Sequence, residues 1–334
     1  MESVVDLMEY EVKRIAVLTS GGDGPGLNPC IRAVVRAALD KGLEVMGVRW
    51  GYTGLIDGDV VDLNARSVGG ILNRGGTFLG TARSPEFKTK RGQREALRNL
   101  NRMSVDGLVV IGGNGSLTGA LQLHKLGFPV VGVPATIDND VNGTDISIGV
   151  DTTLNTILDA VDKIKDTASS HQRAFLIEVM GRDSGYLALM ASIASGAELA
   201  LIPEVETKME EVVREVDEAY IRGKAHCIII VAEGWKPGAR ALTDYLRGRR
   251  EEIGFDVRLT VLGHVQRGGS PTSYDRILAT RLGAAAVQAL LDGQSGMMIG
   301  MLKGRPGLTP LEEAVAFQKE LNLELYELCK VMEQ

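Results

Sequence analysis

The sequence predicts an α/β fold with a largely parallel sheet covered on both faces. Three observations carry the prediction: short apolar runs, longer segments of helical period alternating with them, and Gly-rich turns directly after several of the runs. Ile15–Thr19 is the first buried strand candidate, and Asn28–Lys41 then sets Ile31, Val34, Val35, Ala38 and Leu39 on one helical face. The alternation continues through strand candidates at Leu43–Val48, Gly107–Ile111, Val130–Val133, Phe175–Val179, Leu199–Ile202, Cys227–Ala232 and Leu259–Leu262. Helical period covers Leu117–Leu126, Thr152–Ala168, Leu187–Ser195, Met209–Arg222, Ala239–Ile253, Asp275–Leu291 and Leu311–Met332.

Composition narrows the class. The 334 residues suit two α/β domains or one large one, and 44% hydrophobic beside 24% charged residues excludes a disordered chain. A net charge of −6 and 4% aromatics argue against nucleic acid or an anionic membrane as partner. Cys30, Cys227 and Cys329 form no CxxC pair, so neither a disulfide framework nor a zinc site is expected. The acid-rich start has no signal-peptide pattern and no run is long enough to span a membrane, which reads as a cytoplasmic protein. The 41 glycines, against a usual ~7% of residues, are the one compositional excess.

Part of that excess sits where an open α/β sheet binds ligands. Ser20–Gly26, Gly112–Ser116 and Pro134–Asp140 each follow a strand candidate, and glycine there lets backbone N–H groups approach an anion at a helix N-terminus. Neither GxGxxG nor GxxxxGK[ST] is present, so dinucleotide and P-loop fingerprints are excluded. Arg83, Arg173, Arg182, Arg258 and Arg267 stand near predicted strand ends, and the guanidinium fork suits a substrate with phosphate at more than one place. Asp138 and Asp140 flank Asn139 in a turn, as an acceptor-activating base and a partner for Mg²⁺ require. A simple Asx-turn would also account for that acidic triplet.

Taken together, the runs Leu18–Asp23, Asn73–Gly80 with Arg83, Gly112–Ser116, Thr136–Asp140, Ser170–Arg173, Glu178–Arg182 and Gly263–Pro271 resemble the phosphofructokinase family over nearly the whole chain. The resemblance implies two similar three-layer α/β/α domains with mostly parallel sheets. The larger, ATP-binding domain would comprise 1–149 plus 266–316, and the smaller, sugar-phosphate-binding domain 150–265 plus 317–334. It implies phosphoryl transfer from ATP with Mg²⁺ to O1 of fructose 6-phosphate, in a homotetramer with shared active sites. By the same resemblance Asp138 is the general base, Thr136 and Asp140 help place the transferring group and Mg²⁺, Arg182 neutralises developing charge, and the Gly22 backbone cradles the phosphoryl oxygens. Arg83, Ser84, Gly113, Asn114, Gly115 and Ser116 line the donor site. Met180, Gly181, Glu233, His264 and Arg267 hold the sugar phosphate, with Arg173 and Arg258 supplied by a neighbouring subunit. Gly115 and Ala135 match the ATP-dependent rather than the pyrophosphate-dependent type.

Two departures from the family pattern matter. Asn114 stands where ATP-dependent members carry a Mg²⁺-associated Asp, so the metal is expected to be held less well. Alternatives are a weakly active or regulatory paralogue, a partner subunit for an active paralogue, or a kinase for another sugar phosphate or one using pyrophosphate as donor. The family's effector site, which takes ADP or phosphoenolpyruvate, has counterparts in Arg32, Arg36, Lys165, Glu198, Arg222, Lys224 and His226. Ala65, Gly70 and Ala225 replace an Arg, an Asp and a Lys of that site, so effector control is expected to be weakened or changed. Met1–Val12 precedes the first family strand and reads as either a short docked helix or a frayed tail.

Overall fold

The computed structural model describes residues 12–332. Its strands are β1 (Arg14–Ser20), β2 (Glu44–Val48), β3 (Val60–Leu63), β4 (Gly107–Gly112), β5 (Val130–Pro134), β6 (Arg173–Val179), β7 (Leu199–Leu201), β8 (Cys227–Ala232), β9 (Asp256–Val261), β10 (Met297–Leu302) and β11 (Arg305–Pro310). The helices are α1 (Leu27–Asp40), α2 (Gly51–Asp57), α3 (Lys90–Arg102), α4 (Asn114–Lys125), α5 (Val150–His171), α6 (Tyr186–Ser195), α7 (Met209–Ile221), α8 (Ala239–Arg247), α9 (Arg250–Ile253), α10 (Ser273–Leu291), α11 (Leu311–Ala316) and α12 (Leu323–Met332).

Two sheets result: a seven-stranded one ordered β11-β10-β5-β4-β1-β2-β3 and a four-stranded one ordered β7-β8-β6-β9. The smaller is wholly parallel, and the larger is parallel except at its margins, where β3 and β11 run antiparallel to β2 and β10. Successive side chains of a strand point to opposite faces, and the cores follow that rule. Ile15 and Val17 of β1 join α1 and α10 on one face, while Ala16 and Leu18 join α2, α3 and α4 on the other. In the smaller sheet Phe175 and Ile177 of β6 face α5 and α6, and Ala174 and Leu176 face α7 and α8. Both faces of each sheet are thus buried, which is why the strands read as continuous apolar runs.

All eight strand candidates form strands, with ends displaced by a few residues, and the sequence reading missed β3, β10 and β11. The β10–β11 hairpin turns on Lys303 and Gly304, both with positive φ (50° and 77°), a two-residue turn without the Asn-Gly signal. The polar helix α3 escaped because few apolar residues mark its face. The helical period over Ala239–Ile253 breaks into α8 and α9 around Gly248. That over Leu311–Met332 breaks into α11 and α12, because Phe317 turns extended and the chain crosses to pair Gln318 with Val141. Residues 1–11 of the N-terminal extension lie outside the described residues, while Val12 packs against the core of the larger sheet. All three cysteines are buried, and among the described residues no helix is long and apolar enough to cross a membrane.

The two sheets are tied at the N-termini of α5 and α10. Asp275 of α10 is buried and accepts from the Gly149 and Thr152 backbone N–H groups at 2.9 and 2.8 Å and from Thr152 Oγ1 at 2.6 Å. In return, Thr152 Oγ1 accepts from the Thr272 backbone N–H at 3.0 Å, and Thr272 Oγ1 donates to Asp151 at 2.6 Å. Each helix therefore caps the other's orphan donors. Asp275→Ala strands three buried donors. It is expected to lower the stability of the ligand-free chain by about 3 kcal/mol, read as a lower urea midpoint at unchanged slope. An unchanged midpoint would show that the cap contributes nothing.

Candidate active site

The Gly-rich turns meet because their strands are in register. Ser20 pairs with Gly112 and Gly112 with Pro134, so the turns after β1, β4 and β5 emerge side by side at the carboxyl edge of the larger sheet. Gly26 begins α1 with φ 105°, a backbone closed to most side chains, and any Cβ there would press into Ile148. At Gly22 a Cβ would stand 2.6 Å from the Arg267 guanidinium, whose Nη1 donates to the Asp23 carbonyl at 3.0 Å and would have to shift to make room. The N-terminus of α4 opens on this crevice, with Asn114 as its first residue and Ser116 buried behind it.

The turn after β5 carries the two carboxylates. Thr136 N–H donates to Ile148 O at 3.1 Å, and Thr136 Oγ1 accepts from Asp138 N–H at 3.2 Å. Asn139 is left-handed (φ 50°) and buried, and its Oδ1 accepts from the Ser147 N–H at 3.0 Å. That inward anchor is what allows Asp138 and Asp140 to stand together on either side of it. Asn114 Nδ2 donates to Asp140 Oδ2 at 2.9 Å, while Asn114 Oδ1 is buried without a hydrogen-bond partner.

The turn after β6 completes the cluster. Arg182 also takes a left-handed backbone (φ 54°), with its N–H donating to Glu233 Oε1 at 2.7 Å. Burial, reinforced by the Asp140 carboxylate, holds Asp138 above its ordinary range, against the opposing pull of Arg182 and Arg267. Burial raises Asp140 too, offset by hydrogen bonds from the backbone and Asn114 and by Arg182. A buried acid pair facing two guanidiniums can move a proton while stabilising negative charge that develops beside it.

The structure thus brings together Gly22, Gly113, Asn114, Ser116, Thr136, Asp138, Asp140, Arg182, Glu233 and Arg267. Met180 and Gly181 precede Arg182, and His264 shares a 3₁₀ turn with Arg267. Arg83 is exposed and Ser84 half-buried in the loop before α3, and Gly115 is exposed at the start of α4. Two predicted residues do not join within this chain. Arg173 begins β6, seven residues or about 20 Å before Met180, and it shares Asp256 with Arg258 at 3.6 and 2.7 Å. The effector candidates divide as well. Lys224 pairs with Glu198 at 3.3 Å, His226 contacts Ser169 of α5 at 2.8 Å, and Lys165 of that helix donates to Ser195 O. Arg222 contacts Glu218 at 3.9 Å, whereas Arg32 and Arg36 lie on α1 beside the other sheet. Gln266 was missed as a site component; a polar residue inside an otherwise exposed loop motif was its only signal.

The sequence profile of the family described as Phosphofructokinase matches residues 14–290. The chain is 52% identical over 321 residues to the ATP-dependent 6-phosphofructokinase of Natranaerobius thermophilus, covering 96% of this chain and 99% of that protein. It is also 52% identical over 324 residues to the ATP-dependent 6-phosphofructokinase of Thermotoga neapolitana, covering 96% of this chain and all of that one. Among solved structures, phosphofructokinase from Saccharomyces cerevisiae superposes with a TM-score of 0.83 at 38% identity over 96% of this chain. The present chain spans about half (47%) of that longer one.

The Asn139 anchor is directly testable. Asn139→Ala orphans the buried Ser147 N–H and sets a Cβ-bearing residue without a polar side chain at positive φ, for an expected loss of about 2 kcal/mol. Asn139→Gly keeps the backbone freedom and loses only the side-chain bonds to Ser147 and Asp145, so its thermal midpoint should fall by about half as much. Equal losses would remove the backbone conformation from the account.

Proposed function

Because the chain belongs to the phosphofructokinase family, we propose that it transfers the γ-phosphoryl group of ATP to the 1-hydroxyl of fructose 6-phosphate, giving fructose 1,6-bisphosphate and ADP in glycolysis. The observation that carries this reading is 52% identity along 96% of the chain to ATP-dependent 6-phosphofructokinases, with the Asp138–Asp140–Arg182 cluster intact. A Cβ built on Gly115 meets nothing within 4 Å, which supports a donor with an adenosine arm rather than bare pyrophosphate. The glycolytic assignment fits a cytoplasmic protein.

In this reading Asp138 accepts the proton of the sugar 1-hydroxyl, and burial suits it by bringing its basicity closer to neutral pH. Arg182 meets the charge developing on the transferring phosphoryl oxygens. The Gly22 backbone, Arg83, Ser84 and the α4 N-terminus from Gly113 to Ser116 hold the donor phosphates. Met180, Gly181, Glu233, His264 and Arg267 orient the sugar phosphate, with Thr136 fixing the Asp138 turn. Arg173 and Arg258 stand too far along their strands to reach it from the same chain, which supports a shared site completed by a neighbour in a homotetramer. The larger sheet with 266–316 serves as the donor domain and 150–265 with the C-terminal helix as the acceptor domain. Lys165, Glu198, Arg222, Lys224 and His226, opposed across subunits by Arg32 and Arg36, form a reduced effector site.

Mg²⁺ fits the donor side. Asn114 Oδ1 is a buried acceptor without a partner, and the Asp140 carboxylate lies against the same side chain. Among the described residues no group of three or more His, Cys, Asp or Glu is arranged to hold a metal, so an ion here would lean on the Asp140 carboxylate or the Asn114 oxygen and take waters and phosphate oxygens as its other ligands. When bound, the ion supplies charge neutralisation on the donor phosphates. The amide carries no charge, which favours a raised Mg²⁺ demand as the specific difference of this chain.

A coupled assay with MgATP and fructose 6-phosphate tests the whole reading. Wild type should turn over, pyrophosphate should not replace ATP, and Asp138→Ala should lower kcat by about 10²–10⁴ with little change in KM for ATP. Turnover by Asn114→Asp but none by wild type would overturn the proposal of a working enzyme.

A further inference from the structure

The run Gly263–Pro271 carries His264 and Arg267, yet its most constrained member is the residue between them. Gln266 is fully buried, while His264 and Val265 are exposed and Arg267 half-buried. Its side chain uses both ends: Oε1 accepts from the Met180 N–H at 3.2 Å, and Nε2 donates to the Gly263 carbonyl at 3.0 Å. Its own carbonyl accepts from Thr153 Oγ1 at 3.0 Å. One residue therefore joins the end of β6, the first turn of α5 and the 3₁₀ turn bearing His264 and Arg267.

We infer that Gln266 is a positioning residue for the acceptor side of the site, fixing the spacing between the Met180–Arg182 turn and the His264–Arg267 turn. It touches neither substrate. The inference rests on the proposed sugar-phosphate role of those two turns. The chemistry admits few replacements, because the position needs one acceptor for Met180 N–H and one donor for Gly263 O inside a dry core. Glutamate keeps the acceptor and turns a carboxylate oxygen on the Gly263 carbonyl. Methionine keeps the length and loses both bonds. The donor turns are held chiefly by the β1–β4–β5 register and the Asn139 anchor, with the Arg267 bond to the Asp23 carbonyl as a link across, so the effect should fall mainly on the sugar phosphate.

The test compares wild type with Gln266→Met and Gln266→Glu. The readouts are steady-state kinetics, calorimetric titration with fructose 6-phosphate and with a non-hydrolysable ATP analogue, and thermal unfolding. Gln266→Met should raise KM and Kd for fructose 6-phosphate about tenfold or more, leaving KM for ATP and binding of the analogue within about twofold. Gln266→Glu retains the Met180 bond but sets a carboxylate oxygen against the Gly263 carbonyl, so it should shift the same parameters in the same direction. Thr153→Val, removing the hydroxyl that bonds the Gln266 carbonyl and, within α5, the Gly149 carbonyl, should shift the same parameter in the same direction by less. Equal changes for both substrates, or a lowered unfolding temperature with fructose 6-phosphate parameters unchanged, would overturn the inference and leave Gln266 a packing residue. If Gln266→Met does not fold, Gln266→Glu and Thr153→Val decide by the same split. Failure of wild type itself to bind or phosphorylate fructose 6-phosphate would count against the proposed function, a result distinct from any loss confined to the variants.

Discussion

The buried carboxylate of Asp275, with three donors from the first turn of α5 around it, is the constraint on which the arrangement of the two sheets depends. α5 packs on the smaller sheet and α10 on the larger, so joining their N-termini fixes one sheet against the other. The phosphate-type crevice leans on the same point. Gly149, whose N–H Asp275 receives, abuts the Pro25 carbonyl of the β1 turn, and Gly26 packs against Ile148 and Asp275. Burial raises Asp275 above the usual carboxylate range, while the bonds from Thr152 and Gly149 pull it back, so the charged form leans on donors that are already aligned. A helix N-terminus supplies such donors, and its dipole favours the negative charge.

A similar balance acts at the Asp138–Asp140 pair with a different outcome. Two carboxylates in a partly dry crevice repel, and the arginines only partly offset the repulsion. Asn114 changes the local electrostatics. Its amide donates directly to Asp140 at 2.9 Å, a contact that a second ionised carboxylate could make only with a shared proton or a cation between them. The crevice of this chain is therefore satisfied at Asp140 by a neutral donor, and the unpaired Oδ1 of the same amide is left as an acceptor. Relative to the aspartate of the family pattern, Asn114 keeps the shape of this side of the crevice and removes one unit of its charge.

Much of this was legible in the sequence, and the exceptions have physical causes. Strands buried on both faces announce themselves as apolar runs, so most central strands of both sheets were visible, whereas the edge strands β3 and β11 and the inner strand β10 beside β11 were not. Helix α3 was hidden because its exposed face outweighs the few apolar residues it buries. The extended crossing at Phe317 follows from a long-range pairing with Val141, which no local periodicity encodes. At the site, Asp138, Asp140 and Arg182 were identifiable as chemistry. The reason the two carboxylates share one crevice, the left-handed backbone of Asn139 and its bond to Ser147, exists only after folding. The predicted companions Arg173 and Arg258 show the converse: the motif pattern named them, and strand geometry sets them at a distance from Met180.

The connector between β9 and α10 shows why buried polar groups there are of two kinds. Gln266 and Asp275 lie nine positions apart, both inaccessible to solvent, and their surroundings make opposite demands. Asp275 faces donors alone, so a carboxylate, which only accepts, satisfies them all. Gln266 faces one donor, the Met180 N–H, and one acceptor, the Gly263 carbonyl, so only a neutral amide answers both. Exchanging the two chemistries would leave a carboxylate against a carbonyl at one end and an NH₂ against backbone N–H groups at the other. Between these anchors runs the exposed stretch with Arg267, whose guanidinium reaches back to the Asp23 carbonyl. A connector pinned at both ends by matched polar groups holds that arginine over the first Gly-rich turn, where the two sheets' loops meet.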